Sequence, residues 1–410
     1  MKLLQLLPSL DPQQGGTTEC VRQMSRRLAA LGHHVELVTL DPQDAPWLRD
    51  AGAAVHALGP SRGGYRYAPR LLPWLRANAA RFDAVIVNGL WQYHGFAAWM
   101  ALRGSGVPYY VFPHGMLDPW FRTQHPLKHL KKWLYWPWAE YRVLRDARTV
   151  MFTAEEERLR ARESFWLYRV REAVVNFGTA WPPLDDGRLR EAFLAACPEL
   201  RGKRLLLFLG RIHPKKGCDL LIEAFARVAG TDPFLHLVMA GPDGHGAAQW
   251  GPSLRARAEA LGVGARVSWP GMLRDDMKWG AFHASDAFVL PSHQENFGIA
   301  VAEALGCGVP ALVSTRVNIW RELVRNGAGM TAIDTVDGTE SMLRRWLATE
   351  PAEREGMRVR ARVAFARHFT VEAMAADVLR VVQGGPVPFA GSGPATAAGL
   401  HLQSLGKRER

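Results

Sequence analysis

Short apolar runs, each closed by Gly, Pro or Asp, alternate with longer segments in which apolar residues recur every three or four positions. LLQLLPSL opens the chain and reads as a strand. A Gly-Gly loop at Gly15 and Gly16 follows. The next stretch, about Thr18 to Leu31, places Val21, Met24, Leu28 and Leu31 on one helical face and stops at Gly32. VELVTL, AAVHAL, DAVIVN and YYVFP are further strand candidates. The same grammar restarts at Leu205 with LLLFLG, a polar exit loop RIHPKKGCD and an amphipathic LLIEAFARVA. FLHLVMAG, ARVSWPG, DAFVLPS and PALVST give later strands, and SLRARAEALG a helix.

Strands alternating with helices predict an α/β fold with parallel, doubly wound sheets. At 410 residues the chain is long for one core, which predicts two domains facing across a cleft. The Pro- and Asp-rich stretch TAWPPLDDGRLREA is the natural linker, so the expected domains are 1–181 and 182–384. The last helix of the second domain is expected to pack back on the first. Residues 385–410 are rich in Gly, Pro, Ala and Ser and are expected to be disordered, because they bury too little apolar surface to offset their ordering.

In doubly wound sheets, ligands bind beyond the carboxyl ends of the strands. Two exit loops there carry chemistry. Gly210, Arg211, Lys216 and Gly217 follow LLLFLG, where a guanidinium, an ammonium and helix-terminal N–H groups would meet a diphosphate together. The bland alternative is a solvated basic turn. Glu295-Asn296-Phe297-Gly298 follows DAFVLPS, and a helix from Gly298 carries Glu303 inside an otherwise apolar run. A lone buried carboxylate is costly unless it is paired. Ribose hydroxyls would satisfy Glu303 and hexose hydroxyls Glu295; the alternative for Glu303 is a loop cap or an ion pair in the core. His114, after YYVFP and before Gly115, is a cleft candidate or a satisfied structural histidine.

Glu295 and Glu303, with seven residues between them, resemble the E-x7-E motif of retaining GT-B glycosyltransferases, glycosyltransferase family four, also called group 1. Gly210-Arg211 with Lys216-Gly217 resembles that family's phosphate-binding Arg/Lys pair, and Gly15-Gly16 its glycine-rich first loop. Gly306-Cys307-Gly308 before Pro310-Ala311-Leu312-Val313, and the strand Asp286 to Ser292, match it as well. The resemblance runs from Met1 to about Gly384. It implies a GT-B fold and a hexose moved from a nucleoside diphosphate sugar to a hydroxyl of a saccharide or lipid-linked saccharide, for a surface polysaccharide or glycolipid. Arg211 and Lys216 would neutralise the leaving diphosphate, Glu303 would hold ribose, and Glu295 with the backbone of Phe297 and Gly298 would hold hexose and phosphate. Gly271 would meet the base and His114 the donor sugar; Gly15, Gly16, Gly210 and Ile299 complete the implied donor site. One departure stands where the family often has Pro-Asn-Gly: here the chain reads Val175-Asn176-Phe177-Gly178-Thr179.

Composition refines this picture. The net charge of +12 favours anionic partners. Segment 120–148 concentrates it, with seven Lys or Arg and Trp120, Trp133, Trp136 and Trp138. Such a mixture suits an anionic membrane surface. The competing reading is N-domain core packing with a solvated basic face; nucleic acid is disfavoured for want of a reader motif. Four scattered cysteines form no CxxC pair, which argues against a disulfide framework or zinc site and fits a reducing compartment. The opening apolar run is too short for a signal peptide, and no run reaches a membrane span. A cytoplasmic protein is expected, with 120–148 as its contact with the inner face of the membrane on the first of these two readings. No Asp-x-Asp appears; Asp185-Asp186 and Asp275-Asp276 read as solvated pairs. No metal and no cofactor beyond the co-substrate are expected. A GT-B sugar-nucleotide epimerase and a non-catalytic sugar-nucleotide-binding protein are the rival readings. A dinucleotide oxidoreductase lacks its Gly-x-Gly-x-x-Gly after the first strand.

Overall fold

The computed structural model describes residues 1–385 apart from 15, 50, 121, 123–125, 186 and 244–249. The tail expected to be disordered therefore lies, from 386 onward, outside the described residues, and so does Gly15.

Two parallel sheets form the molecule. The first holds β1 (Lys2–Leu6), β2 (His34–Thr39), β3 (Ala54–Ala57), β4 (Ala84–Asn88), β5 (Tyr109–Phe112), β6 (Thr149–Phe152) and β7 (Glu172–Val174), in the order β3-β2-β1-β4-β5-β6-β7. The second holds β8 (Arg204–Leu209), β9 (Leu235–Ala240), β10 (Val267–Gly271), β11 (Ala287–Leu290), β12 (Ala311–Ser314) and β13 (Gly329–Ala332), in the order β10-β9-β8-β11-β12-β13. Strand order reverses between β1 and β4 and between β8 and β11, the crevices where ligands gather.

The sequence explains the central strands. Leu205 to Phe208 of β8 are wholly buried because helices cover both faces of a parallel sheet. The following helix, Cys218–Val228, buries Leu221, Ile222, Phe225 and Val228, each such side chain contributing roughly 1.5–3 kcal/mol of burial. Two expectations shift. The first helix spans Gly16–Ala30, and β6, β7 and β13 are strands that the hydrophobic pattern did not announce. TVMF is short, and GMTA is only half-buried at the sheet's edge, so neither carries a clear alternation.

The closing helix, Val371–Val382, packs on the Gly16–Ala30 helix of the first half, with Cys20 Sγ 3.4 Å from Met374 Sδ. Thr179 N–H donates to the Phe369 carbonyl at 2.9 Å and Val371 N–H to the Thr179 carbonyl at 3.2 Å. Asn176 N–H donates to Asp377 Oδ2 at 3.0 Å. One buried cluster runs from the second sheet through this joint into the first. The joint fixes the two crevices opposite one another.

Candidate active site

Gly217 sets the geometry of the loop after β8. Its φ is +65°, and a Cβ there would stand 2.1 Å from the Pro291 carbonyl oxygen, so only glycine fits. Before it, Pro214–Lys216 makes a tight turn in which His213 Nδ1 accepts the Lys215 N–H at 3.1 Å. The Lys215 carbonyl accepts from Ser292 Oγ at 2.8 Å and from the His293 N–H at 2.9 Å. The loops after β8 and β11 are thus stitched together at the switch point, and Lys216 Nζ pairs with Glu295 Oε2. Burial pushes the Glu295 carboxyl up, but Lys216, then Lys215 and Arg211, more than offset it, so the group sits below the ordinary range. Glu295 is a fixed anion within a cationic loop. Arg211 is exposed and acts on it through space.

Gly298, at φ +77°, caps the Ile299–Gly306 helix that follows. The helix starts beside Glu295, whose Cγ would stand 3.3 Å from a Cβ at Gly298; Val301 N–H closes on the Gly298 carbonyl at 2.8 Å, and the N–H groups of Ile299 and Ala300 ahead of it have no acceptor within the helix. Glu303 is buried within it and pairs with Lys278 Nζ at 2.8 Å, from the Asp275–Ala284 helix. Burial raises its carboxyl above the ordinary range, with Lys278 opposing. Gly271 ends β10 at φ +73°, its carbonyl accepting the Gly241 N–H at 2.7 Å.

The first half supplies the facing wall. His114 stacks on Phe112, centroids 5.3 Å apart, and meets the edge of Phe177 at 5.7 Å. Its Nε2 lies 3.1 Å from Asn88 Oδ1, and the Asn88 amide donates to Gln5 Oε1 at 2.9 Å. Nε2 therefore carries the proton and Nδ1 is left as an acceptor. Burial lowers the ring's pKa to about 3, so it is neutral at physiological pH. Gly115 N–H donates to Glu157 Oε1 at 2.6 Å, and Glu157 Oε2 accepts from the Thr153 N–H and hydroxyl, each at 2.7 Å. Gly115, at φ +76°, would carry a Cβ 2.7 Å from the Asn296 Cβ, so a side chain there would push the halves apart. Asn296 Nδ2 donates across the cleft to Thr153 Oγ1 at 3.1 Å.

Arg211, Lys216, Glu295, Gly298 and Ile299 are gathered at one crevice, with His114 on the opposing wall. Gly16 faces Ile299, whose Cδ1 would stand 2.6 Å from a Cβ at that glycine. Gly210 opens the loop after β8, its N–H donating to the Ala240 carbonyl at 2.9 Å. Phe297 differs from expectation in its side chain. The ring is buried between the halves against Phe177 at 4.8 Å and Phe369 at 5.8 Å, leaving only its backbone beside the helix start. Asn176 and Thr179 are occupied at the joint. Asp185 caps the helix that starts at Arg188, donors being Leu189 and Arg190 N–H, and Asp276 pairs with Arg188 at 2.9 Å. Among the described residues no cluster of three or more His, Cys, Asp or Glu could hold a metal ion, and no helix is long and apolar enough to cross a membrane. Sequence reading missed Lys278, Thr153 and Glu157. Nothing local marks them, since each reaches the site through a distant element. Lys215 stands within the quoted loop RIHPKKGCD but was given no role there, and only its position beside Glu295 reveals one.

Comparison with known proteins agrees with this geometry. Residues 15–178 match the family described as glycosyl transferase 4-like domain, and residues 192–362 match glycosyl transferases group 1. A D-inositol 3-phosphate glycosyltransferase of Thermobispora bispora is 30% identical over 377 residues, covering 82% of this chain and 80% of the relative. One from Thermomonospora curvata is 34% identical over 268 residues, covering 62% of this chain and 59% of the relative. Among solved structures, Anabaena Alr3699/HepE in complex with UDP-glucose superposes with a TM-score of 0.72 at 15% identity, covering 94% of this chain and 100% of that one. The two facing sheets and these matches agree: the chain belongs to the group 1 glycosyltransferases and has their two-domain GT-B fold.

Proposed function

We propose that the protein transfers a hexose, with retention of anomeric configuration, from a nucleoside diphosphate sugar in the second half to a hydroxyl of a saccharide acceptor held by the first. Surface polysaccharide or glycolipid synthesis is the setting this reading favours. The observation that carries it is the Lys216–Glu295 pair at a helix start, with Lys215 and Arg211 beside it and a neutral His114 opposite. A diphosphate entering there displaces Lys216 from sole pairing with Glu295 and meets two further cations and the free N–H groups. Glu295 then accepts from hexose hydroxyls, His114 Nδ1 from another, and Glu303 from ribose. The names of relatives support the class: a D-inositol 3-phosphate glycosyltransferase, a mannosylfructose-phosphate synthase and a fold neighbour holding UDP-glucose.

In the step itself, the bond from the anomeric carbon to the phosphate oxygen breaks as the acceptor oxygen attacks the same face. The acceptor proton passes to the departing phosphate oxygen. Negative charge grows on the diphosphate, where Arg211 and Lys216 stabilise it most, which is differential stabilisation of the transition state. These cations fill the role a metal would take, so the reaction is metal-independent in this reading. The test is nucleotide release from a panel of UDP- and GDP-sugars with EDTA present. Release from one donor, lost in Glu295→Ala and Lys216→Ala, is the expected result. Donor binding without turnover in any acceptor mixture would overturn catalysis and leave a binding protein.

A further inference from the structure

The Pro126–Tyr135 helix buries none of its residues. Leu127, Leu130 and Leu134 recur on one face and are 77%, 53% and 60% exposed, and Trp133, Trp138 and Trp166 stand out nearby. Lys128, Lys131 and Lys132 interleave with them. Exposed apolar side chains clustered in this way mark an interaction surface. Leu130, Trp133, Phe165 and Trp166 also line a cavity of about 800 Å³, with the rings of Trp133 and Trp166 6.2 Å apart.

A second cavity of about 760 Å³ adjoins it. Both are lined by Arg122 and Glu163, so they meet at these two side chains. The second is polar. Trp120 offers it an aromatic platform, with Lys215 Nζ 5.6 Å from that ring, and Asp219 brings a buried Oδ1 that has no hydrogen-bond partner. Several of its charges are already matched, Arg160 with Glu156 and Arg316 with Asp334. Donors and acceptors in near balance around one aromatic face suit a sugar better than a bare anion. Lys215 is the residue next to Lys216, so this polar cavity opens beside the donor site.

We propose that the acceptor is an amphiphile drawn from an anionic bilayer surface: a saccharide head in the polar cavity, joined to an apolar chain in the Leu130–Trp133–Phe165–Trp166 groove. This rests on the transferase reading above. The amphipathic helix lies in the headgroup layer, Lys128 and Lys131 meeting acidic lipids and its leucines the acyl boundary, while Lys132 is turned inward over the Trp91 ring at 4.4 Å. Arg122, exposed where the cavities join, takes the anionic linkage between head and chain.

The test uses the full chain and two probes, the octyl and the methyl phosphodiesters of glucose 1-phosphate, kept below micelle formation, with binding followed by calorimetry. The octyl ester is expected to bind about tenfold tighter or more. The Leu130→Glu, Trp133→Glu double variant, altered only at exposed positions, should erase that advantage while leaving methyl-ester affinity unchanged. It should also lose flotation with phosphatidylglycerol-containing vesicles, to which the parent binds in preference to pure phosphatidylcholine. Equal affinity for the two esters, an advantage that survives the double variant, or equal flotation on neutral vesicles would overturn the proposal. Nucleotide release separates this from the transferase reading. Release that persists while chain length is ignored sinks only the amphiphile; no release from any donor sinks the transferase.

Discussion

Glu295 and Glu303 stand eight positions apart and live in opposite electrostatic surroundings. Glu295 is held ionised because burial is outweighed by Lys216, Lys215 and Arg211. Glu303 has only Lys278 against the same penalty, and burial wins. A third carboxylate, Glu140, extends the series. It accepts from Trp91 N–H at 2.9 Å, its Oε2 has no hydrogen-bond partner, and burial outweighs that bond and the nearby cation Lys132, pushing it up to about 8. The lesson is that burial alone does not decide what a carboxylate can do; the number of cations around it does. Glu295 can serve as a permanent acceptor amid developing phosphate charge. Glu303 is adjustable and suits a ligand hydroxyl that accepts or donates.

The largest effect should come from removing the cation that pairs with Glu295 and, in the proposed reading, faces the diphosphate. Lys216→Ala is expected to lower kcat about 10³-fold, measured by nucleotide release, whereas Lys216→Arg keeps the charge and should lose less. Unaltered turnover in Lys216→Ala would dissolve the contrast between the two ends of the motif.

Glu295→Gln keeps the shape and removes the charge. Turnover should fall about 10–100-fold, the range of one hydrogen bond to a charged group. Substrate saturation curves locate the loss in kcat, since in the proposed reading the carboxylate touches the sugar being transferred.

Glu303→Gln is expected to raise the donor KM about tenfold with little change in kcat. Here pH sharpens the comparison. A raised pKa means Glu303 takes up its proton at a higher pH than an ordinary carboxyl does, so on acidification its ionised form is lost first, while Glu295 remains charged. The wild-type donor KM should therefore climb on acidification before kcat falls, and Glu303→Gln should flatten that climb. His114 contributes no titration near neutrality, since its pKa of about 3 keeps it neutral there.

Glu140→Gln should leave turnover alone and alter stability only. With a folded-state value near 8, the native state holds a proton that the unfolded chain releases near the ordinary range. That contribution is present at low pH and is lost as pH rises toward about 8, at no more than about 1.4 kcal/mol per pH unit. Chemical denaturation of both proteins at pH 5 and pH 8 reads the difference; identical pH dependence would remove Glu140 from the series.

The strands that carry the site were legible because β8 and β11 are buried on both faces and announce themselves as continuous apolar runs closed by Gly or Pro. The exit loops followed from them, and so did Arg211, Lys216, Glu295 and Glu303. β13 was hidden because an edge strand needs little apolar pattern, and Lys278 because its helix gives no local reason for a lysine to point at Glu303. Segment 120–148 showed its composition openly, yet could not show that Trp136 is buried against Phe165, centroids 4.1 Å apart, while Trp133 and Trp138 are exposed.

The chain by itself determined the alternation of strand and helix and the residue types at the strand ends, since these follow from local periodicity and from where glycine is required. The tertiary structure alone decided which charges meet. Lys216 reaches Glu295 across 79 positions, and Asn296 reaches Thr153 across 143. Coulomb and hydrogen-bond energies depend on distance in space and on the water excluded between groups, and separation along the chain encodes neither.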